Sequence, residues 1–230
     1  MSEKLVLGID DAGRGPVIGP MVLAGCLMNQ NLETKLKELG VMDSKLLTRK
    51  KRQDLVGTIK ENSLGIKAQA ITPIEIDTGM GIGLNLNQVE ALAAGAIINE
   101  LTKSLSEEQK ADLTIIVDCP SINTSSWKKQ LLEYVIEKKL KIKCEHKADF
   151  NYPVVSAASI IAKTTRDSLI EDLKKQFNID FGSGYPADPK TKDFLKKNVN
   201  NQTYKGLFRE SWATFQTAKG LIKQSRLPDY

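Results

Sequence analysis

The first predicted strand of this chain runs into two adjacent carboxylates, and a sharp turn follows them. An apolar segment leads to Asp10 and Asp11, and Gly13-Arg14-Gly15 comes after one alanine. Two unit charges about 4 Å apart repel each other by about 4 kcal/mol near a protein surface, so folding must relieve that repulsion by protonation, a basic partner or a cation. Mg²⁺ prefers oxygen ligands and usually binds together with substrate phosphate. The pattern therefore predicts a metal-dependent phosphodiester site.

Composition sets broad limits on the kind of protein. The chain has 230 residues, 41% of them hydrophobic, which is enough for one substantial core. A net charge of +5, from 33 basic and 28 acidic residues, permits a polyanionic partner without requiring one. Cys26, Cys119 and Cys144 are too few and too scattered for a disulfide framework or a zinc cage. No signal peptide and no apolar run of about 18 residues is present, so we expect a cytoplasmic protein without a membrane span.

Short runs rich in valine, isoleucine and leucine predict five strands, and 3.6-residue periodicity predicts the helices between them. The predicted strands are Lys4–Asp10, Pro20–Met28, Gly65–Ile71, Leu113–Asp118 and Leu140–Glu145. The predicted helices are Gln88–Ser104, Thr124–Lys138, Pro153–Phe177, Thr191–Asn198 and Ser211–Ser225. The connection between the first two strands is too short for a crossover helix, so we expect them to pair antiparallel. The later strands alternate with helices, which favours parallel additions to the same sheet. Asn87 followed by Glu90 resembles a capping box.

Two further carboxylates follow predicted strands. Asp118 ends the fourth strand, and Asp149 lies between the fifth strand and the helix that begins at Pro153. Taken alone, each such residue is typical of a turn or a helix cap. Because strands of one direction end at the same edge of a sheet, we expect these two to join Asp10 and Asp11. Three or four carboxylates are what two divalent ions need when they hydrolyse a phosphodiester.

Other candidate residues have ordinary structural explanations as well. Lys45 either reaches a phosphate or lies in a solvated loop, and local sequence favours neither. Tyr185, in a loop rich in glycine and proline, either packs or stacks on a sugar or base. His146, the only histidine, is interpreted as a bystander rather than a general base, and Trp212 as a packing anchor rather than a base stacker.

Several motifs in one order and spacing resemble ribonuclease HII, most closely the archaeal single-chain enzymes. The motifs are Gly8-Ile-Asp-Asp-Ala-Gly-Arg-Gly-Pro16, Asp43-Ser-Lys45, Asp118, His146-Lys-Ala-Asp149, Tyr152-Pro-Val-Val-Ser-Ala-Ala-Ser-Ile-Ile-Ala-Lys163 and Gly182-Ser-Gly-Tyr-Pro-Ala-Asp-Pro-Lys-Thr191. The resemblance spans nearly the whole chain. It implies an α/β, ribonuclease H-like fold, with a five-stranded mixed sheet flanked by helices. The catalytic domain would be residues 1–199, and residues 200–230 would form a C-terminal helical extension.

The resemblance also implies an activity and roles for individual residues. The enzyme would cleave the RNA strand of RNA–DNA hybrids and incise at ribonucleotides embedded in duplex DNA, leaving 5′-phosphate and 3′-hydroxyl ends. Asp10, Asp11, Asp118 and Asp149 would be catalytic and would bind Mg²⁺ or Mn²⁺, with two ions in the substrate complex. Gly13, Arg14 and Gly15 would sense the ribose 2′-hydroxyl, Tyr185 would pack on the sugar at the RNA-to-DNA junction, and Lys45 would contact the backbone. We expect a monomer. Lys223–Tyr230 shows no clear clamp-binding motif, so a sliding-clamp partner is left open.

The chain departs from the family pattern at two positions. Asp11 stands where the family has glutamate, and Ala187 stands where it has serine. Because side chains alternate along a strand, the second acid must reach around the strand end, and aspartate is about one methylene shorter than glutamate. Two alternatives follow from this departure or from the fold. One is a catalytically weakened protein that only binds hybrids, and the other is a DNA nuclease or integrase-like strand transferase with the same fold.

Overall fold

The structure, a computed structural model, describes residues 4–41 and 47–221. Its strands are β1 (Leu5–Ala12), β2 (Met21–Asn29), β3 (Gly65–Ile71), β4 (Thr114–Asp118) and β5 (Lys141–Glu145). Its helices are α1 (Leu32–Glu38), α2 (Arg49–Asn62), α3 (Pro73–Gly81), α4 (Leu86–Thr102), α5 (Glu107–Asp112), α6 (Thr124–Tyr134), α7 (Ala148–Asn151), α8 (Pro153–Phe177), α9 (Pro189–Asn198) and α10 (Ala213–Ala218). No helix in this described part is long and apolar enough to cross a membrane.

The strands form one five-stranded mixed sheet, as predicted, and their order is β3-β2-β1-β4-β5. β1 pairs antiparallel with β2, and β4 and β5 extend the sheet in parallel from β1. The prediction of parallel additions is wrong for β3, which pairs antiparallel with β2. Gly65, at the start of β3, lies opposite Leu27 near the end of β2, so the intervening chain leaves and re-enters the sheet at the same end.

Alternating side chains of β1 give the sheet two buried faces. Leu7 and Ile9 pack in one apolar cluster with α4 and α6, whereas Val6 packs in another with α8. Helix α8 lies very close to the sheet, because a Cβ atom on Gly8 would come within 2.4 Å of the Val154 backbone. This close approach fixes the position of α8 relative to β1.

Two predicted helices end earlier than expected. Helix α6 ends at Tyr134 rather than Lys138, because the Asn99 side chain accepts from the Ile136 N–H (2.9 Å) and donates to the Tyr134 carbonyl (2.9 Å). The predicted final helix is α10, Ala213–Ala218, and its expected residues beyond Leu221 lie outside the described residues. The chain before α10 includes a short 3₁₀ helix, Gln202–Tyr204, and a third apolar cluster contains Phe208 from this chain segment and Phe215 from α10.

The contact between α8 and β1 generates a stability prediction. We expect Gly8→Ala to lower the free energy of unfolding by about 3 kcal/mol, because the added methyl group meets backbone atoms that cannot yield. Gly57→Ala in α2 is the matched control, since its methyl group meets no atom within 4 Å and a helix-interior alanine stabilises by about 0.5 to 1 kcal/mol. Urea denaturation of both variants makes the measurement. Equal stability of Gly8→Ala and the parent would show that α8 does not lie as close to β1 as described.

Candidate active site

The four predicted site carboxylates come from three elements. Asp10 and Asp11 lie inside β1, which continues to Ala12 rather than ending at the acids. In the parallel ladder Ile9 lies opposite Val117, and Asp10 and Asp118 are the next residues of their strands. Asp149 lies in α7, directly after β5. Strand alternation directs Asp10 toward the α8 face and Asp11 toward the α4 face, so the acids approach the end of β4 from both sides of the sheet.

Negative charge is concentrated around Asp10. Its side chain is only 6% exposed, and burial, followed by the charges of Asp11 and Asp118, raises its pKa well above the ordinary value. The pKa of Asp11 is also raised, mainly by burial and then by Asp118, although the charge of Arg14 opposes the shift. These carboxylates repel one another, as the sequence predicted, and a cation between them would relieve the repulsion.

Asp118 and Asp149 are linked through the backbone. Oδ1 of Asp118 accepts a hydrogen bond from the N–H of Ala148 (2.8 Å), which fixes the start of α7. Asp149 is the next residue and is buried. Lys147 precedes the helix in the left-handed conformation, with φ of 55°, and makes the tight bend that turns the chain from β5 into α7. The bond therefore ties the position of Asp149 to that of Asp118.

The donor set fits a hard divalent cation, since all four predicted ligands offer carboxylate oxygen. Among residues 4–41 and 47–221, however, no three histidine, cysteine, aspartate or glutamate side chains form a ready-made metal-binding cluster. Binding would thus require the carboxylates to adjust around the ion. The four-carboxylate metal site remains a prediction.

The Gly13-Arg14-Gly15 turn follows β1 directly. Gly13 has φ of 85°, a conformation that glycine adopts without strain. The Arg14 guanidinium reaches α4, where Nη2 donates to Oδ1 of Asn87 (2.7 Å) and Nη1 donates to the carboxylate of Glu90. The Arg14 side chain is therefore held by α4.

These contacts correct the predicted capping box. Helix α4 begins at Leu86, and its cap is formed by Asn85 and Gln88, which exchange side chain-to-backbone hydrogen bonds of 3.1 and 2.9 Å. Asn85-x-x-Gln88 and Asn87-x-x-Glu90 have the same spacing, so the sequence contains two possible capping boxes. In the structure, the earlier pair caps the helix. Asn87 and Glu90 are thereby released to bind Arg14.

Glu90 is a candidate site residue that the sequence analysis missed. It is 1% exposed, and burial, followed by the charge of Asp11, raises its pKa to about 7 against the opposing effect of Arg14. Its place on the apolar face of α4 was the available signal, because a glutamate among Val89, Ala93 and Ile97 needs a charged partner.

A cationic cavity of about 260 Å³ lies between the turn and Tyr185. It is lined by Ala12, Gly13, Arg52, Lys163, Arg166, Asp167 and Tyr185. The Arg166 guanidinium lies 5.5 Å from the centre of the Tyr185 ring, and its Nε donates to the Pro20 carbonyl (3.2 Å). The structure thus brings Tyr185, which is 42% exposed, to the side of the turn. Arg52 and Arg166 were not predicted, although Arg166 follows Lys163 at helical spacing on α8.

Tyr185 is positioned by a tightly bonded loop. The carbonyl of Gly184 accepts from the backbone N–H groups of Val17 (2.9 Å) and Ile18 (3.2 Å). The N–H of Gly184 donates to Oγ1 of Thr191 (3.0 Å), at the start of α9. These bonds tie the loop to the residues that follow the Gly-Arg-Gly turn and so place Tyr185 beside it.

Two other candidate residues of the sequence analysis are Lys45 and His146. Lys45 lies outside the described residues. His146 lies near the carbonyls of Cys119 (Nδ1, 3.0 Å) and Ile122 (Nε2, 3.3 Å), so it braces the loop after Asp118, in agreement with its interpretation as a bystander.

The sheet order and the acids on β1 and β4 define a ribonuclease H-like α/β hydrolase. The family model "Ribonuclease HII" matches residues 7–215. The ribonuclease HII of Methanococcus maripaludis strain C6 is 44% identical over 227 residues, which cover 98% of this chain and 92% of that protein. The chain belongs to the ribonuclease HII family.

Solved structures agree with this assignment. The ribonuclease H2 from Pyrococcus horikoshii OT3 is 33% identical, with a TM-score of 0.79 over 96% of this chain and all of that one. The RNase HII in the PCNA:RNase HII complex from Archaeoglobus fulgidus is also 33% identical, with a TM-score of 0.78 over 98% of this chain and all of that one. The predicted resemblance and fold class are confirmed. This chain is a metal-dependent ribonuclease H, an endonuclease for the RNA strand of RNA–DNA hybrids.

The raised pKa of Glu90 predicts a pH dependence of stability. Between pH 4.5 and about 7, folded Glu90 keeps a proton that the unfolded chain has released, so stability falls as pH rises through this window. This displacement corresponds to a loss of about 3 kcal/mol. In the parent, the free energy of unfolding should therefore decrease between about pH 5 and about pH 8. We expect this decrease to be about 3 kcal/mol smaller in Glu90→Gln.

Urea denaturation in metal-free buffer at the two pH values makes the measurement. Glu108→Gln, at an exposed position of α5, is the matched control and should keep the parent's pH dependence. If Glu90→Gln also keeps it, Glu90 is ionised at neutral pH in the folded protein, contrary to our description.

Proposed function

We propose that this ribonuclease H incises at ribonucleotides embedded in duplex DNA, as well as in RNA–DNA hybrids, by two-metal-ion catalysis that leaves 5′-phosphate and 3′-hydroxyl ends. The observation that carries the proposal is the buried Asp10, with its raised pKa, beside the Gly-Arg-Gly turn and the Tyr185 cavity. Excess negative charge fits a metal site, and the adjoining cationic cavity fits a sugar-phosphate backbone.

Asp10, Asp11, Asp118 and Asp149 would hold the ions, Mg²⁺ or Mn²⁺. When bound, the ions would supply an activated water and stabilise the leaving oxygen. The chain's own contribution is orientation: Asp118 fixes α7 through Ala148, and Arg14 offsets the charge of Asp11. Asp11 lies within β1 on the α4 face, so its shorter side chain must meet the ion from that face.

Substrate selectivity would come from the turn and the cavity. Because the Arg14 guanidinium is held by Asn87 and Glu90, we assign contact with the ribose 2′-hydroxyl mainly to the backbone of Gly13, Arg14 and Gly15. Tyr185 would pack on the sugar at the RNA-to-DNA junction. Lys163 and Arg166, which line the same cavity, would attract the phosphates.

We further propose a cytoplasmic monomer with residues 1–199 as the catalytic domain and 200–230 as its extension. The Archaeoglobus relative was solved in a complex with PCNA, so a PCNA-type clamp is a reasonable partner to test. The tail residues Lys223–Tyr230, which carry no clear clamp-binding motif, lie outside the described residues.

The acidic cluster generates an activity prediction. We expect Asp10→Asn and Asp118→Asn to lower kcat by at least about 1,000-fold, because each removes charge that the transition state requires. Hybrid binding should stay within about threefold of the parent. End-labelled duplexes with zero, one or several ribonucleotides, in Mg²⁺ and in Mn²⁺, report cleavage, and fluorescence anisotropy reports binding.

Asp193→Asn, on the exposed face of α9, and His146→Ala are the controls and should cleave within about fivefold of the parent. Substantial cleavage by Asp10→Asn at saturating Mg²⁺ would contradict the metal assignment. A parent that binds hybrids and cleaves none of the duplexes in either metal would support the weakened hybrid-binding protein instead. Cleavage of the all-DNA duplex would support a DNA nuclease.

A further inference from the structure

One side chain from the C-terminal part of the chain binds the backbone of the Gly-Arg-Gly turn. Arg209 is fully buried, and its guanidinium donates to the carbonyls of Gly13 (2.6 Å), Arg14 (2.8 Å) and Gly19 (3.0 Å). Its own backbone N–H donates to the Val17 carbonyl (2.9 Å). Nearly two hundred residues separate these partners in sequence, so the contact is a specific product of the fold.

The third carbonyl of the turn is bound by the same segment. Nε1 of Trp212 donates to the Gly15 carbonyl (3.3 Å), and the Arg209 guanidinium lies 4.8 Å from the centre of the Trp212 ring. The carbonyls of Gly13, Arg14 and Gly15 thus all face residues 209–212. Trp212 was interpreted as a packing anchor, and the structure adds a polar contact to that role.

Peptide geometry determines which backbone groups lie on the opposite side of the turn. In a planar trans peptide, the C=O of one residue and the N–H of the next point in opposite directions. The N–H groups of Arg14 and Gly15 therefore point away from Arg209. Backbone N–H groups directed outward from a turn are suited to a hydroxyl or phosphate oxygen.

The segment that carries Arg209 is itself held in place. Asp77 of α3 accepts hydrogen bonds from the backbone N–H groups of Glu210 (2.7 Å) and Ser211 (3.0 Å). Phe208 and Phe215, on either side, are buried in the third apolar cluster. These contacts limit how far Arg209 can move relative to the sheet.

Arginine is well suited to this position. Burial, followed by the neighbouring charge of Arg166, lowers the pKa of Arg209 to about 9, so the guanidinium stays charged at neutral pH. Its planar fork serves three carbonyls at once, whereas a lysine ammonium is a compact charge on a flexible stem.

We propose that Arg209, assisted by Trp212, is a positioning residue that fixes the Gly13–Gly15 turn with its N–H groups toward the substrate ribose. This inference rests on the proposed role of the turn in ribose recognition and deepens it. Arg209 itself does not contact the substrate. It acts through the turn, so its loss should affect ribose discrimination more than it affects duplex binding.

The test compares Arg209→Lys and Trp212→Phe with the parent. Trp212→Phe keeps an aromatic ring beside Arg209 and removes only the N–H donor. The first readout is kcat/KM on a duplex with a single ribonucleotide. The second, measured with Ca²⁺ in place of Mg²⁺, is the ratio of Kd values for that duplex and the matching all-DNA duplex.

We expect Arg209→Lys to lower kcat/KM by about 100-fold, as a small misplacement of a positioning group does. Trp212→Phe removes one hydrogen bond and should lower it by about fivefold. In both variants the Kd ratio should move toward one. Ile59→Val, at a fully buried position of α2 that takes no part in holding the turn, is the control for a merely structural effect: it should lower Tm by about 2 to 4 °C and leave both readouts at the parent's values.

The outcomes separate this inference from the proposed function. If the parent cleaves and discriminates, and both variants match it, the positioning role is overturned while the proposed function stands. An Ile59→Val variant that loses discrimination as strongly as Trp212→Phe would also overturn the role, since destabilisation alone would explain the loss. If the parent neither cleaves the single-ribonucleotide duplex nor prefers it, the proposed function fails and the inference fails with it. Should Arg209→Lys not fold, Trp212→Phe carries the same test.

Discussion

The parallel pairing of β1 with β4 is the constraint on which the rest of the site depends. Asp10 and Asp118 each follow directly after one member of the ladder pair Ile9–Val117, although more than a hundred residues separate them in sequence. The resulting repulsion is built into the sheet, since Asp10 is buried and cannot move away without breaking β1. The tight contact between Gly8 and α8 then closes one face over the acids. The free energy gained by burying the apolar clusters thus offsets the repulsion between these buried acids, which is unfavourable on its own.

Cations supplied by the chain surround this negative centre without entering it. Arg14 is held by Glu90 and Asn87 on one side, and Arg166 and Arg209 are buried near the turn on the other. Each arginine binds backbone carbonyls or a partner carboxylate, so none supplies a full counter-charge to Asp10. The acids therefore keep an excess of negative charge, and a cationic cavity lies beside them. A divalent ion bound to a phosphate would match both features, because the acids would bind the ion and the cavity would accept the phosphate.

Local sequence predicted the secondary-structure elements well, for physical reasons that are visible in particular residues. The runs that form β1, β2 and β4 are mostly buried, and α8 begins at Pro153 and ends at Phe177 as predicted. The predictions failed where two capping boxes fit the sequence equally well, or where the contacting residues are far apart in sequence. Asn85 and Asn87 offer the same capping spacing, and only tertiary contact with Arg14 decides between them. Antiparallel β3, the charged partner of Glu90 and the carbonyls bound by Arg209 depend on chain paths that no local pattern encodes.

Calorimetric titration of the metal-free protein with Mn²⁺ tests the central claim most directly. At about pH 6, in buffers of different ionisation enthalpy, the titration counts the protons released per ion bound. Because burial and neighbouring carboxylates raise the pKa of Asp10, we predict that Mn²⁺ binding releases protons from the parent, and that Asp10→Asn binds more weakly and releases fewer. Equal Mn²⁺ affinity and equal proton release in the two proteins would contradict the assignment of this buried charge to a metal site.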